Sequence, residues 1–283
     1  MDNKSIQTTN RSLSIRISTD GLSFCTYAPN NTQSLQYITY PVKPVISMAA
    51  NLKKALSDEP VLKENYQRVN ILVSTPNFTT MPASEFQREQ AEELYRFVFS
   101  KQESCHVSYN VLRRSGMAIL FGVDKNIHQM LLDDFPRARF YASASTLVEY
   151  FSEQSLGGNG RRMYAYLHER QAARHLSLQP REMSVYCFDQ GKVLFANTYP
   201  VHAAADCQYY ILAVWQQLGF DVCADTLCLV DDSDMGKIIS QAISPYIQHI
   251  QTADRENDLE PQHYDRSRQS IPYDLHTLLS CGF

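Results

Sequence analysis

Apolar Leu13, Ile15 and Ile17 alternate with polar Ser14, Arg16 and Ser18, a period of two that predicts a half-buried strand near the start of the chain. Asp20-Gly21 follows as a tight hairpin turn, because glycine accepts the positive φ such turns need. Strands are expected at Leu22–Tyr27 and Ser34–Tyr40, with a turn at Pro29–Thr32 between them. Val45, Met48, Ala49, Leu52 and Leu56 then change to helical spacing, and Val69–Ser74 reads as a short strand. The same order recurs later. Met183–Phe188 alternates, Asp189-Gln-Gly191 turns, and Lys192–Thr198 alternates again. A helix over Ala203–Leu218 with Gly219 at its cap, a strand at Thr226–Val230 and a helix over Met235–Ile247 complete the series. Met183–Ile247 therefore reads as a second copy of Leu13–Ser74.

Between the copies, Ser84 and Gln87 have the spacing of a capping box that opens a helix through Phe99. Strands are expected at His106–Leu112 and Met117–Val123, then a helix capped by Asp124, a strand at Arg139–Ala142 and a helix over Thr146–Phe151. Leu156-Gly-Gly-Asn-Gly160 breaks the pattern. A phosphate-cradling loop would lead into a helix, but Met163–His168 alternates as a strand does, so the glycines read as a linker. The expected division is a flexible tail at 1–12, an N-terminal lobe at 13–156, a linker at 157–162 and a C-terminal lobe at 163–283. A long connection is expected over Glu169–Glu182. The chain closes on a docking helix, Tyr273–Cys281, with Leu275, Leu278 and Leu279 on one side.

Composition narrows the function classes. The chain of 283 residues is 44% hydrophobic and 20% charged, the balance of a globular protein. A net charge of −4 argues against nucleic acid and anionic membrane surfaces as partners. No apolar run is long enough to span a bilayer, and the polar Met1–Arg11 has no signal-peptide pattern. The seven cysteines are an odd number, and Cys25, Cys187, Cys207 and Cys228 fall inside strand or helix patterns. Reduced thiols and a cytoplasmic location are expected. Cys223 and Cys228 lack a second Cys or His pair that would complete a zinc site, so no metal is expected. Arg161, Arg162, His168, Arg170, Arg174 and His175 make the densest basic cluster, whose alternatives are a solvated face and an anionic contact. The histidines are otherwise scattered, leaving a Cys–His nucleophile pair open.

Four phrases carry a family resemblance: Leu13–Phe24, Met163–Glu169, Ala205–Leu212 and Pro272–Cys281. Through them the chain resembles an uncharacterised bacterial family, a domain of unknown function with an actin-like ATPase fold. It is more distantly similar to the actin-like proteins of pilus assembly and type II secretion. The resemblance implies an α/β protein of two ribonuclease-H-like lobes, with mixed sheets and helices packed on them. In that superfamily ATP and Mg²⁺ sit between the lobes, on Asp-x-Gly hairpins and a Gly-Gly turn. The matching positions here are Arg16, Ser18, Thr19, Asp20 and Gly21 in the first lobe. In the second they are Glu169 and the run Asp231, Asp232, Ser233 and Asp234. Arginine has no lone pair for a metal, and the carboxylates of the run repel a triphosphate. They suit the cap of the helix that follows better. The expectation is a non-catalytic scaffold that takes a protein or peptide partner and no cofactor. The alternative is a divergent ATPase or phosphotransferase that uses these residues.

Overall fold

Two five-stranded mixed sheets with one strand order carry the chain. In the first, β1 (Ser12–Ser18), β2 (Gly21–Ala28), β3 (Asn31–Tyr40), β4 (Arg68–Val73) and β8 (Arg139–Ala142) run in the order β3-β2-β1-β4-β8. In the second, β9 (Arg162–Leu167), β10 (Arg181–Asp189), β11 (Lys192–Val201), β12 (Thr226–Val230) and β13 (His249–Thr252) run β11-β10-β9-β12-β13. Each sheet begins with an antiparallel meander and ends with two parallel additions. Parallel neighbours need crossovers. These are α1 (Met48–Asp58) and α3 (Lys125–Asp134) in the first half, and α5 (Ala204–Gln217) and α6 (Asp234–Ile243) in the second. This computed structural model describes residues 11–19, 21–28, 31–100, 104–168, 181–231, 234–252 and 271–280, with backbone only at 31–34 and 234.

The expected opening strand of the second lobe, Met163–His168, is β9, so the repeat takes in one strand more than the stretch from Met183. The counterpart of β1 is β9, not the strand at Met183, as the shared sheet order requires. The segment between β9 and β10 is far too long for a tight turn, in keeping with the long connection expected there, and the two strands pair antiparallel. The true tight hairpin joins β10 to β11. Gln190 and Gly191 both have positive φ, 47° and 83°, as a primed turn demands.

In the first half an insertion separates β4 from α3; it has no counterpart among the described residues between β12 and α6. It contains β5 (Phe78–Pro82), α2 (Ala91–Val98), β6 (Cys105–Leu112) and β7 (Met117–Asp124), in a sheet ordered β5-β7-β6. Tyr95, Cys105, Ala118 and Leu120 give it a small core of its own. The capping box at Ser84 does not form. A single 3-10 turn begins at Arg88 and α2 only at Ala91, neither with a side-chain cap. Asp124 does cap α3, its Oδ1 accepting from the amides of Asn126 and Ile127 at 2.9 and 3.1 Å. Asn110 ties the insertion to the main sheet. Its Oδ1 accepts from the Ala142 amide and the Ser145 hydroxyl, and its Nδ2 donates to the Phe140 carbonyl.

Helix α4 (Ser143–Gln154) follows β8 and is longer than the Thr146–Phe151 stretch expected; residues 143–152 are all buried. It keeps contact with β8 of the first sheet and also packs on β10 and β11 of the second, with Phe151 stacked on Tyr164 at 4.2 Å. Helix α7 (Tyr273–Ser280) makes the reciprocal move. It comes after β13 in the chain, yet Ile271, Leu275 and Leu278 pack on Cys25, Leu72 and Tyr141 of the first sheet. The two helices touch each other, Tyr273 lying edge-on to Tyr150 at 5.9 Å. This exchange explains a difference from expectation. All seven residues of β1 are buried, because α7 covers the polar face that alternation assigned to solvent.

Candidate functional site

The covered face of the first sheet holds an arginine. Arg16 lies opposite Ser23 on β2 and beside Leu72 on β4, so its side chain points to the face that α7 covers. Its Nε donates to both carboxylate oxygens of Asp274, at 2.9 and 3.0 Å, and its Nη2 approaches Ser74 Oγ at 3.5 Å. Exposure is 3% for Arg16 and 0% for Asp274. A charge at that depth must be neutralised locally, because its desolvation otherwise costs several kcal/mol. The carboxylate is held from several sides. Ser143 Oγ donates to Oδ2 at 2.9 Å, the Leu275 amide donates to Oδ1, and Asp274 stands in the first turn of α7, where the helix dipole favours an anion. Thr146 and Thr277 donate to the Asp274 carbonyl.

Burial alone raises the pKa of the Asp274 carboxyl. The charge of the Arg16 guanidinium and its hydrogen bonds outweigh that effect and hold the group below an aspartate's ordinary 3.8. The charge of His168, at the end of β9, works in the same direction. The pair is thus an ionised bridge between the lobes' elements. His168 belongs to a hydroxyl chain as well, its Nε2 lying 2.7 Å from Ser184 Oγ, which is 2.6 Å from Thr198 Oγ1.

The other positions suggested by the sequence fall in two places. Ser18 closes the β1–β2 hairpin by donating to the Gly21 carbonyl at 3.2 Å, and Thr19 is exposed in the turn. Arg16, Ser18, Thr19 and Gly21 therefore share one hairpin, while Asp20 lies outside the described residues. Asp231 is buried just after β12 in the second lobe. A Cβ at Gly236 would lie 2.5 Å from the Asp231 carbonyl oxygen, so only glycine permits this approach of α6 to the strand end. Asp234 is the first residue of α6; Glu169, Asp232 and Ser233 lie outside the described residues.

The basic cluster divides in the same way. Arg161 is a structural residue. It pairs with Asp225, donates to the carbonyls of Leu218 and Gly219, and lies 4.5 Å over the Phe220 ring. Arg162 donates to the Gln154 carbonyl, and Arg170, Arg174 and His175 lie outside the described residues. Cys25, Cys105, Cys187, Cys207 and Cys228 are buried free thiols, and Cys223 is an exposed one. Among the described residues, no group of three His, Cys, Asp or Glu side chains gathers to hold a metal, and no helix is long and apolar enough to cross a membrane.

Sequence reasoning reaches Arg16 and misses Asp274, Ser74, Ser143 and Thr146. A signal was present. Asp274 interrupts an apolar stripe between Tyr273 and Leu275, and a carboxylate there needs a buried cation.

The model of a protein family of unknown function, DUF3822, matches residues 1–250 of the chain. A crystal structure from Bacteroides thetaiotaomicron, of a protein with actin-like ATPase fold and unknown function, is 32% identical. It covers 99% of both chains with a TM-score of 0.80. More distant likenesses are to the PilM–PilN type IV pilus biogenesis complex and to an AlfA filament bound to AMPPNP. The first has 9% identity, coverage of 90% and 92%, and a TM-score of 0.49. The second has 10% identity, coverage of 96% and 97%, and a TM-score of 0.43. No curated protein matches the chain. The chain belongs to the DUF3822 family and has the α/β actin-like ATPase fold, two mixed five-stranded sheets with helices packed on them.

Proposed function

We propose that this protein is a non-catalytic binding module, an actin-like fold that holds a protein partner and not a Mg²⁺–nucleotide. The buried Arg16–Asp274 pair carries the reading. A phosphate hairpin uses a carboxylate to position Mg²⁺ and leaves backbone amides open to phosphate. Here the residue at that position is a guanidinium, which cannot ligate a metal. Its charge is already spent on Asp274, which supplies two oxygens to its Nε. A triphosphate would have to displace a carboxylate that is fully desolvated and bonded from several sides. The acidic run at Asp231–Asp234 adds repulsion at the second-lobe turn. For a protein partner, the insertion offers apolar groups that its own core does not use. Phe97 is 88% exposed at the end of α2, and Val98 and Val111 are exposed beside it in sequence and on the adjoining β6.

The test is calorimetry of ATP and ADP with the purified full chain, with and without Mg²⁺. The expected result is no binding heat at millimolar nucleotide. Micromolar binding that requires Mg²⁺ would overturn the reading and support the divergent ATPase alternative.

A further inference from the structure

We propose that α7 is a latch between the lobes, which unlatches as a unit while both lobes stay folded, and that the Arg16–Asp274 pair sets how often it opens. The inference rests on the same buried pair as the binding reading, but its test involves no nucleotide or partner.

Eight residues do not make a stable helix in water, so α7 persists only while docked. Its described attachments to the first lobe run through side chains. Asp274 takes Arg16 and Ser143, Thr277 meets Thr146, and Ile271, Leu275 and Leu278 sit on Cys25, Leu72 and Tyr141. None of the strand ladders of either sheet includes a residue of α7. Undocking it breaks no ladder.

α7 follows β13 of the second sheet but covers the first, so it is a crossing element and not a member of the sheet beneath it. Short elements of this kind open at lower free energy than the core they cover. Opposing that, six of its eight residues are buried. The ion pair decides which tendency wins. With Asp274 in place the closed state neutralises a guanidinium that has no solvent; without it the closed state buries a lone cation. What opening would uncover is Arg16 among the hydroxyls of Ser14, Ser23, Ser74 and Ser143 on one sheet face and its facing helix.

The fold contains its own reporter. Cys25 is fully buried directly beneath Ile271, Leu275 and Leu278, and burial pushes its thiol up to about 12, so it reacts only when uncovered. Cys187 and Cys207 lie in the separate core of the second lobe and serve as internal references. The experiment is native-state thiol labelling of the full chain, with modification followed at each cysteine by peptide mass spectrometry. The expected result is labelling of Cys25 roughly tenfold or more faster than Cys187 and Cys207, because local opening precedes global unfolding. Asp274→Asn should increase the Cys25 rate, and the lead of Cys25 over Cys187 and Cys207 should persist. Equal rates at all three sites in the unaltered protein would overturn the latch, and so would an Asp274→Asn variant whose Cys25 rate is unchanged. If Asp274→Asn does not fold, the comparison within the unaltered protein decides.

Discussion

Arg16 and Asp274 are 258 residues apart in sequence, and each is tolerable in the interior only because of the other. Removing one partner leaves an uncompensated buried charge. Arg16→Ala or Asp274→Asn should therefore cost about 3–5 kcal/mol in chemical unfolding, while Arg16→Leu combined with Asp274→Leu should recover much of that loss. The pH dependence follows from the lowered carboxyl. A group whose folded pKa lies below its unfolded value contributes fully at neutral pH and loses its contribution as pH falls through the folded value. The advantage of the unaltered protein over Asp274→Asn should thus be constant above pH 3.8 and shrink below it, as acid titrations of both would show. At this scale the sequence was half legible. Arg16 stands out on an alternating strand, but no local pattern connects it to a carboxylate on the last helix. Ser74, Ser143 and Thr146 carry no signature at all, because hydroxyls of this kind satisfy turns and caps everywhere.

Elements with sustained periodicity were predictable, and short or tertiary-dependent ones were not. α5, β6 and β7 match the expected ranges to within one residue at each end. β5 and β13, five and four residues long, are too short to establish a period and take their conformation from the strands beside them. The Ser84 box has correct spacing, but the chain there runs through turns and a 3-10 segment before α2 begins. Two substitutions separate a local device from a tertiary one. Asp124→Ala removes only the cap of α3 and should cost about 1 kcal/mol. Asn110→Ala leaves the Ala142 amide, the Ser145 hydroxyl and the Phe140 carbonyl short of a partner between insertion and sheet. It should cost more, about 1–3 kcal/mol for each buried group left unsatisfied. Denaturant titration of both variants checks the ranking.

The repeated succession of strands and helices was visible in the sequence; the exchange of closing helices was not. Nothing in the spacing of α4 or α7 tells which sheet it covers, since an apolar stripe fits either. The exchange merges the lobes. One cluster of buried side chains takes Ile15 and Phe24 from the first sheet, Phe151 from α4, and Tyr164 and Tyr186 from the second sheet. Thermal unfolding should therefore be a single transition with equal calorimetric and van't Hoff enthalpies. Two resolved transitions would mean that the shared cluster does not couple the lobes.

The far position of Asp274 also governs how this protein is made. Translation adds about 5–20 residues per second, so the carboxylate emerges on the order of tens of seconds after the arginine it must meet. Throughout that interval the first sheet, although already synthesised, lacks both the cover for its inner face and the counter-ion for Arg16. For this chain, early synthesis of a lobe does not mean early completion: its first strand is finished by its last helix.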